Sequence, residues 1–392
     1  MQLTKICFWL SIFLIVYPSF IYPALVWLVG LIRPRRLKRR SWLPSVTVLI
    51  PAYNEAQNIA ATIQNKLEQD YPSDRLEIIV ISDGSTDGTD DIVREFSSRN
   101  VRLIRREQRE GKAAALNEAV RYASGEILVF SDANSLFAPD AIRRMMENFA
   151  DTEIGYVTGN LIYKKRDDGI AGNGCSAYMK YENALRTLET RAGSVIGVNG
   201  GVDAVRRELY RDVPRQLITD FVLPLHVIST NHRVVYDERA HSFEVANSEL
   251  GSEFRMRTRV GLRALQGITF MRRLCNPVKY PWTAFSLISH KVIRYFGFPF
   301  LLIVFLTNLM LLSMPYYAAL FIAQMFAYLL AIVGLRNDLP RLFRKLTFIP
   351  AYFFITNVAF AAATIKFLQG QTMATWQPRA GAQTAEHINR AA

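Results

Sequence analysis

A chain of 392 residues leaves room for two or three domains, and at 50% hydrophobic and 21% charged residues it is neither disordered nor collagen-like. Cys7, Cys175 and Cys275 stand far apart and the five histidines form no HExxH, which excludes a disulfide framework, a cysteine zinc site and that metalloprotease motif. The net charge of +13 would suit nucleic acid, but acidic residues vanish between 254 and 337; this uneven spread, with a mean hydropathy of +0.09, points to membrane segments instead.

Ile6 to Ile32 carries no charge over 27 positions, more than the roughly 20 apolar residues a bilayer crossing needs. Pro18 and Pro23 predict a tilt or kink within it. RPRRLKRR follows, with six basic residues between Arg33 and Arg40, and only Lys5 precedes. The positive-inside rule therefore places residue 33 onward in the cytoplasm. A buried core helix is the alternative, but the length and the asymmetric flank favour a membrane span.

Next comes a polar region in which strands alternate with helices. Ser45–Ile50, Leu76–Ser82, Val101–Ile104 and Glu126–Ser131 read as strands, and 54–69, 87–98 and 112–123 as helices. That alternation implies an α/β fold, a mainly parallel sheet with helices on both faces. Ligands bind such sheets at the carboxyl ends of the strands. Three polar clusters occupy those ends: Pro51-Ala52-Tyr53-Asn54-Glu55, then Ser82-Asp83-Gly84-Ser85-Thr86-Asp87, then Ser131-Asp132-Ala133-Asn134. Asp83 can accept from a ribose hydroxyl or a base N–H, or simply belong to a capped turn. Asp132 and Asn134, one residue apart, can present two oxygens to a hard cation, magnesium or manganese, or form a turn. Lys112 opens a helix and either meets a phosphate or stays solvated. Asp220, ahead of an apolar run, is either a helix N-terminal acid or a general base.

Gly172-Asn173-Gly174-Cys175-Ser176-Ala177 matches a dinucleotide fingerprint, but no strand precedes it, so that reading is rejected. Phe254 to Arg294 holds nine basic residues and no acid. It fits an interfacial segment on an anionic leaflet, or arginines that hold a pyrophosphate; nucleic-acid binding is rejected because the tract runs straight into an apolar stretch. If 255, 257 and 259 are extended, they share one side, with Arg257 toward phosphates. The apolar stretch breaks only at Ser313-Met314-Pro315, predicting spans at 296–313 and 316–335. A basic loop follows (Arg336, Arg341, Arg344, Lys345), then a span at 346–368, four in all.

PAYNE, DGSTDGT, GKAAALN, SDANS and TDFVLP, in that order between residue 46 and about 260, together resemble the inverting glycosyltransferase family 2. The flanking spans are similar to those of membrane-embedded bacterial polysaccharide synthases for cellulose, poly-N-acetylglucosamine and hyaluronan. The resemblance implies a GT-A catalytic domain at 41–253. Around it lie an N-terminal helix and basic flank (1–40), an interfacial segment (254–295), membrane helices (296–368) and a tail (369–392). It implies Asp220 as catalytic base. Glu55, Asp83, Lys112, Asp132 and Arg257 would hold the nucleotide sugar, a UDP-sugar, and Asp132 and Asn134 a divalent metal. Asn199, Gly200 and Gly201 would line the acceptor side. The implied partners are a nucleotide-diphosphate sugar, a growing glycan or a lipid-linked acceptor, membrane lipids, and export or polymerisation proteins. The implied location is the inner membrane, multi-pass, with a cytoplasmic catalytic domain. The sequence departs from the pattern at Asn134, where a second acid is usual, at Thr219, where a glutamate is usual, and at Phe254–Thr258, which lacks the Q-x-x-R-W of processive enzymes. A scaffold that keeps the fold without catalysis is the reading from another class.

Overall fold

The computed structural model describes residues 1–164, 170–245, 250–336 and 339–373. Its centre is one eight-stranded sheet. The strands are β1 (Val46–Ala52), β2 (Leu76–Asp83), β3 (Val101–Arg106), β4 (Ile127–Ser131), β5 (Leu136–Phe137), β6 (Ile154–Lys164), β7 (Val202–Arg206) and β8 (Arg233–Val245). They lie in the order β3-β2-β1-β4-β7-β6-β8-β5. β1 runs parallel to β2 and β4, β2 to β3, and β6 to β8. β7 is antiparallel to both of its neighbours and β5 to β8. The sheet is thus mainly parallel, as its first half announces, with antiparallel insertions in the second.

The composition of β1 explains its central place. All seven residues of VTVLIPA are buried, as a strand covered on both faces requires. Val46, Val48 and Ile50 enter one core with Ile59, Ile63, Met145 and Phe149; Leu49 enters the other with Leu116, Phe130, Leu223 and Val227. Two helices are shorter than their periodicity suggested. The one expected at 54–69 begins only at Ile59: Asn54 stands at φ +52°, and a turn follows in which Asn58 N donates to the Glu55 carbonyl at 2.9 Å. The one expected at 87–98 is confined to Thr89–Arg94, behind Gly88 at φ +86°.

Among the described residues, three helices are long and apolar enough to cross a membrane: Gln2–Ile32, Pro315–Val333 and Leu346–Leu368. A π-helical turn at Tyr17–Ile21 interrupts the first, at the expected prolines. The span expected at 296–313 needs correction. Its helix, Gly297–Met310, has 14 residues, about 21 Å, and is too short alone. It bends by 59° into Pro281–Tyr295, so the fourth crossing exists only if this bent pair counts as one. The basic tract differs too. Residues 250–270 form a helix, not an extended segment.

The membrane helices join the sheet domain through a buried ionic cluster. Glu182, on the helix Ile170–Ala192, pairs with Arg294 through Oε1. Its Oε2 lies 3.4 Å from His290 Nε2, 3.7 Å from Lys291 and 3.9 Å from Arg186. One turn pair further along, Glu189 Oε1 accepts from Tyr22 at 2.7 Å and lies 2.7 Å from His290 Nδ1. Both carboxylates are 1% exposed, so the geometry must offset a large loss of hydration. Glu182→Ala leaves Arg186, Lys291 and Arg294 short of their shared counter-charge. Its expected cost is about 3–5 kcal/mol, read as a lower midpoint of thermal unfolding in detergent; an unchanged midpoint would deny the cluster this role.

Candidate active site

Parallel pairing sets the site. Ala52 of β1 stands beside Ser82 of β2, and Leu49 beside Phe130 of β4, so the three polar clusters reach one edge of the sheet. Beyond that edge lies a cavity of about 410 Å³. Glu55, Lys112, Asp132, Asn134, Asn199, Asp220 and Arg257 all line it. Three other expected residues do not. Asp83 is fully buried behind the rim. Its Oδ1 accepts from Arg106 Nη1 at 2.8 Å and Glu110 N at 3.1 Å, and its Oδ2 from Gly111 N at 2.7 Å. Gly200 and Gly201 lie behind the lining, where their missing side chains matter: a Cβ on Gly200 would collide with the Asp220 carboxylate, and one on Gly201 would stand 2.7 Å from Glu244 Oε1.

Lys112 opens the helix Lys112–Val120, just after Gly111 at φ +101°. Its ammonium pairs with Asp132 and lies 3.3 Å from the Gly200 carbonyl. Burial favours the neutral amine, but the carboxylates of Asp132, Asp220 and Asp203 outweigh it and hold this lysine above its ordinary value. Asp220 sits in the first turn of Thr219–Ser229. Burial raises its carboxyl above the ordinary range and the Asp132 charge adds to the rise, while Lys112 and Arg263 oppose it.

The turn at 199–201 is anchored from beneath. Asn199 N donates to Thr158 Oγ1 at 3.2 Å, and Asn199 Nδ2 to the Gly159 carbonyl at 2.5 Å. Gly200 N donates to Asp203 Oδ2 at 2.8 Å. Thr158 and Asp203 are register partners on β6 and β7. Nothing in GGVDAVR distinguishes Asp203 from a surface acid, and no local signal points to its role. Burial pushes its carboxyl up to about 7; Thr158 and Gly200 hydrogen-bond it and oppose that rise, and the Asp220 charge adds to it.

The helical geometry sorts the basic tract. Arg255 is exposed, whereas Arg257, Arg259 and Arg263 line the cavity. Arg257 Nε donates to Glu253 Oε1 at 2.8 Å, and the guanidinium lies between the rings of Tyr178 and Tyr352, 4.9 and 4.3 Å from their centroids. Arg257, expected to point at the donor phosphates, thus lines the cavity with its guanidinium already paired to Glu253. Arg263 instead donates to the carbonyls of Gln216 and Leu217, just ahead of Asp220. Burial lowers it to about 10, against the pull of Asp220.

Among the described residues no three His, Cys, Asp or Glu side chains group as a metal site. Asp132 and Asn134 supply two oxygens on the cavity wall, and Asp132 already faces a cation, the Lys112 ammonium. That set fits a magnesium-like ion that arrives with a diphosphate and keeps water ligands, not one caged by protein alone.

Asp203 gives the site a measurable signature. An acid whose folded value exceeds its unfolded one stabilises below the unfolded value, and that stability is lost as pH rises through the folded value. The window here runs from about 4 to about 7. Asp203→Asn should therefore gain roughly 2–4 kcal/mol over the unsubstituted chain at pH 8, narrowing toward pH 4. Parallel melts in detergent that show a pH-independent difference would contradict the assignment.

Residues 47–213 match the family described as Glycosyl transferase family 2. A poly-beta-1,6-N-acetyl-D-glucosamine synthase of Staphylococcus epidermidis is 26% identical over 267 residues, 63% of this chain and 63% of that protein. The glycosyltransferase AglE of Haloferax volcanii is 34% identical over 184 residues, 46% of this chain and 59% of its own. Each match thus spans less than two thirds of the curated relative. Among solved structures, the mannosyltransferase PcManGT from Pyrobaculum calidifontis, in complex with GDP-Man and Mn2+, superposes with a TM-score of 0.69 at 24% identity, covering 93% of this chain and 99% of that one. The mainly parallel sheet is that of a GT-A fold, and helices long and apolar enough to cross a membrane stand before and after it.

Proposed function

We propose that this chain is an inverting membrane glycosyltransferase that moves a sugar from a nucleotide diphosphate, a UDP-sugar, to a growing surface glycan. The observation that carries this reading is one cavity holding an acid with a raised proton affinity, Asp220, opposite a cation-paired acid, Asp132. The family match and the named activities of the relatives support it. The basic flank at 33–40 orients the catalytic domain to the cytoplasm.

Asp220 takes the proton of an acceptor hydroxyl. That oxygen bonds to the anomeric carbon as the bond to the diphosphate breaks on the opposite side, which inverts the configuration. A raised proton affinity suits a base that works near neutrality. Charge builds on the leaving diphosphate, and Lys112, Arg259 and Arg263 meet it from the cavity wall. A divalent ion held by Asp132 and Asn134 would add countercharge there. Asp83 serves the nucleoside through the segment Arg106–Gly111, which its carboxylate fixes.

A second reading, one sugar added to a lipid-linked acceptor, is favoured by Phe360. This residue of the helix Arg341–Leu368 lines the same cavity as Asp220, so the cavity reaches the membrane helices.

Asp220→Asn should lower turnover by about 10²–10⁴-fold and leave donor binding largely intact. Release of the nucleotide diphosphate from several nucleotide sugars, measured in membranes, tests this; near-normal turnover would remove Asp220 from the role. The acid limb of kcat/KM should lie above the ordinary carboxylate range, with activity lost as pH falls through it. Excess chelator should abolish transfer and added Mg2+ or Mn2+ restore it, whereas Asp132→Ala should resist rescue. Full activity in chelator would dismiss the metal.

A further inference from the structure

We propose that Asp203 is a positioning residue for the transfer reaction: from beneath the turn at 199–201 it holds Gly200 against the Asp220 carboxylate and so fixes the direction in which that carboxylate faces the acceptor. The inference rests on Asp220 being the base.

Asp203 is 1% exposed, in a strand whose other core residues are Val202, Ala204 and Val205. An apolar side chain would avoid the cost of burying a carboxyl there. What the acid supplies is an acceptor for the Gly200 N–H, which the turn directs into the core. The carbonyl of the same residue faces the Lys112 ammonium at 3.3 Å. Gly200 is thus gripped on both sides, by Asp203 through its N–H and by Lys112 through its oxygen. It is held at φ +78°, with its bare Cα pressed on Asp220. Any loosening of the turn frees the carboxylate to rotate. Thr158 performs the matching task for Asn199 N one residue earlier. The charged and titratable groups around this arrangement include Lys112, Asp220 and Asp132, Glu244 beside Gly201, Tyr156 on β6, and Arg263 facing Asp220 from the helix Leu250–Phe270.

The test compares Asp203→Ala and Asp203→Asn in the full chain, in native membranes, with the nucleotide sugar that the unsubstituted chain turns over fastest. Asp203→Ala should lower kcat about 30-fold or more, as a misplaced reacting group does, with donor KM within about threefold. Asp203→Asn keeps an oxygen for the Gly200 N–H and should recover at least about tenfold of that loss. If Asp203→Ala does not fold, Thr158→Val removes the neighbouring anchor with little change of volume and should show the same split between kcat and KM. A folded Asp203→Ala (or Thr158→Val in its place) with unchanged kcat, or an Asn variant no better than Ala, would overturn the inference. Failure of the base reading looks different: Asp220→Asn would then remain active in the same assay.

Discussion

The parallel pairing of β1 with β2 on one side and β4 on the other is the constraint from which the site follows. Parallel neighbours end at the same edge, so Glu55 and Asp132, distant in sequence, finish at one rim, with Asp83 buried just behind it. β1 can occupy the centre because its side chains are apolar apart from Thr47, whose hydroxyl donates to Glu77 Oε2 at 2.7 Å, and so can be covered on both faces. The antiparallel β7 starts beside the end of β4, with Val202 across from Ser131, so the turn at 199–201 that leads into it lies at the same rim. Asp220 completes the enclosure from the next helix.

Much of this was legible in the sequence because the first half is built from local signals. The buried runs around Val48, Ile79 and Val129 are continuous, and polar clusters follow each of them. The rest was not legible because its causes are distant. Asp203 is buried by β4 and β6, which lie on either side of it, and no local pattern records that. That Tyr178 and Tyr352, from two other helices, flank Arg257 is likewise set by distant contacts that its own sequence neighbours do not record. The helix at 250–270 was disguised by alternating arginines at 255, 257 and 259, which resemble an extended strand's spacing but face different ways on a helix. The bend before Gly297 falls where the basic tract, ending at Arg294, meets the apolar run, and neither pattern marks a break there.

The charges divide by burden. Those on the flank at 33–40 mostly stay near water, where charges keep much of their hydration. Glu182, Arg294 and Lys291 do not, and each must find compensation inside the protein. Lys112 and Asp132 stand between these extremes, 26% and 36% exposed, open enough for a charged ligand to exchange partners with them.

The ionic cluster around Glu182 also decides what counts as a domain. The helix Ile170–Ala192 gives Glu182 and Arg186 to the cavity wall, and the bent pair gives Lys291 and Tyr295 to the same wall. A soluble fragment ending before the membrane helices would therefore not be a smaller enzyme with its anchor removed. It would lack one side of its own cavity and would expose an acid whose counter-charges had been cut away. The membrane-length helix Leu346–Leu368 and the bent pair wall part of the cavity, and a boundary drawn between them and the sheet domain runs through that cavity rather than around it.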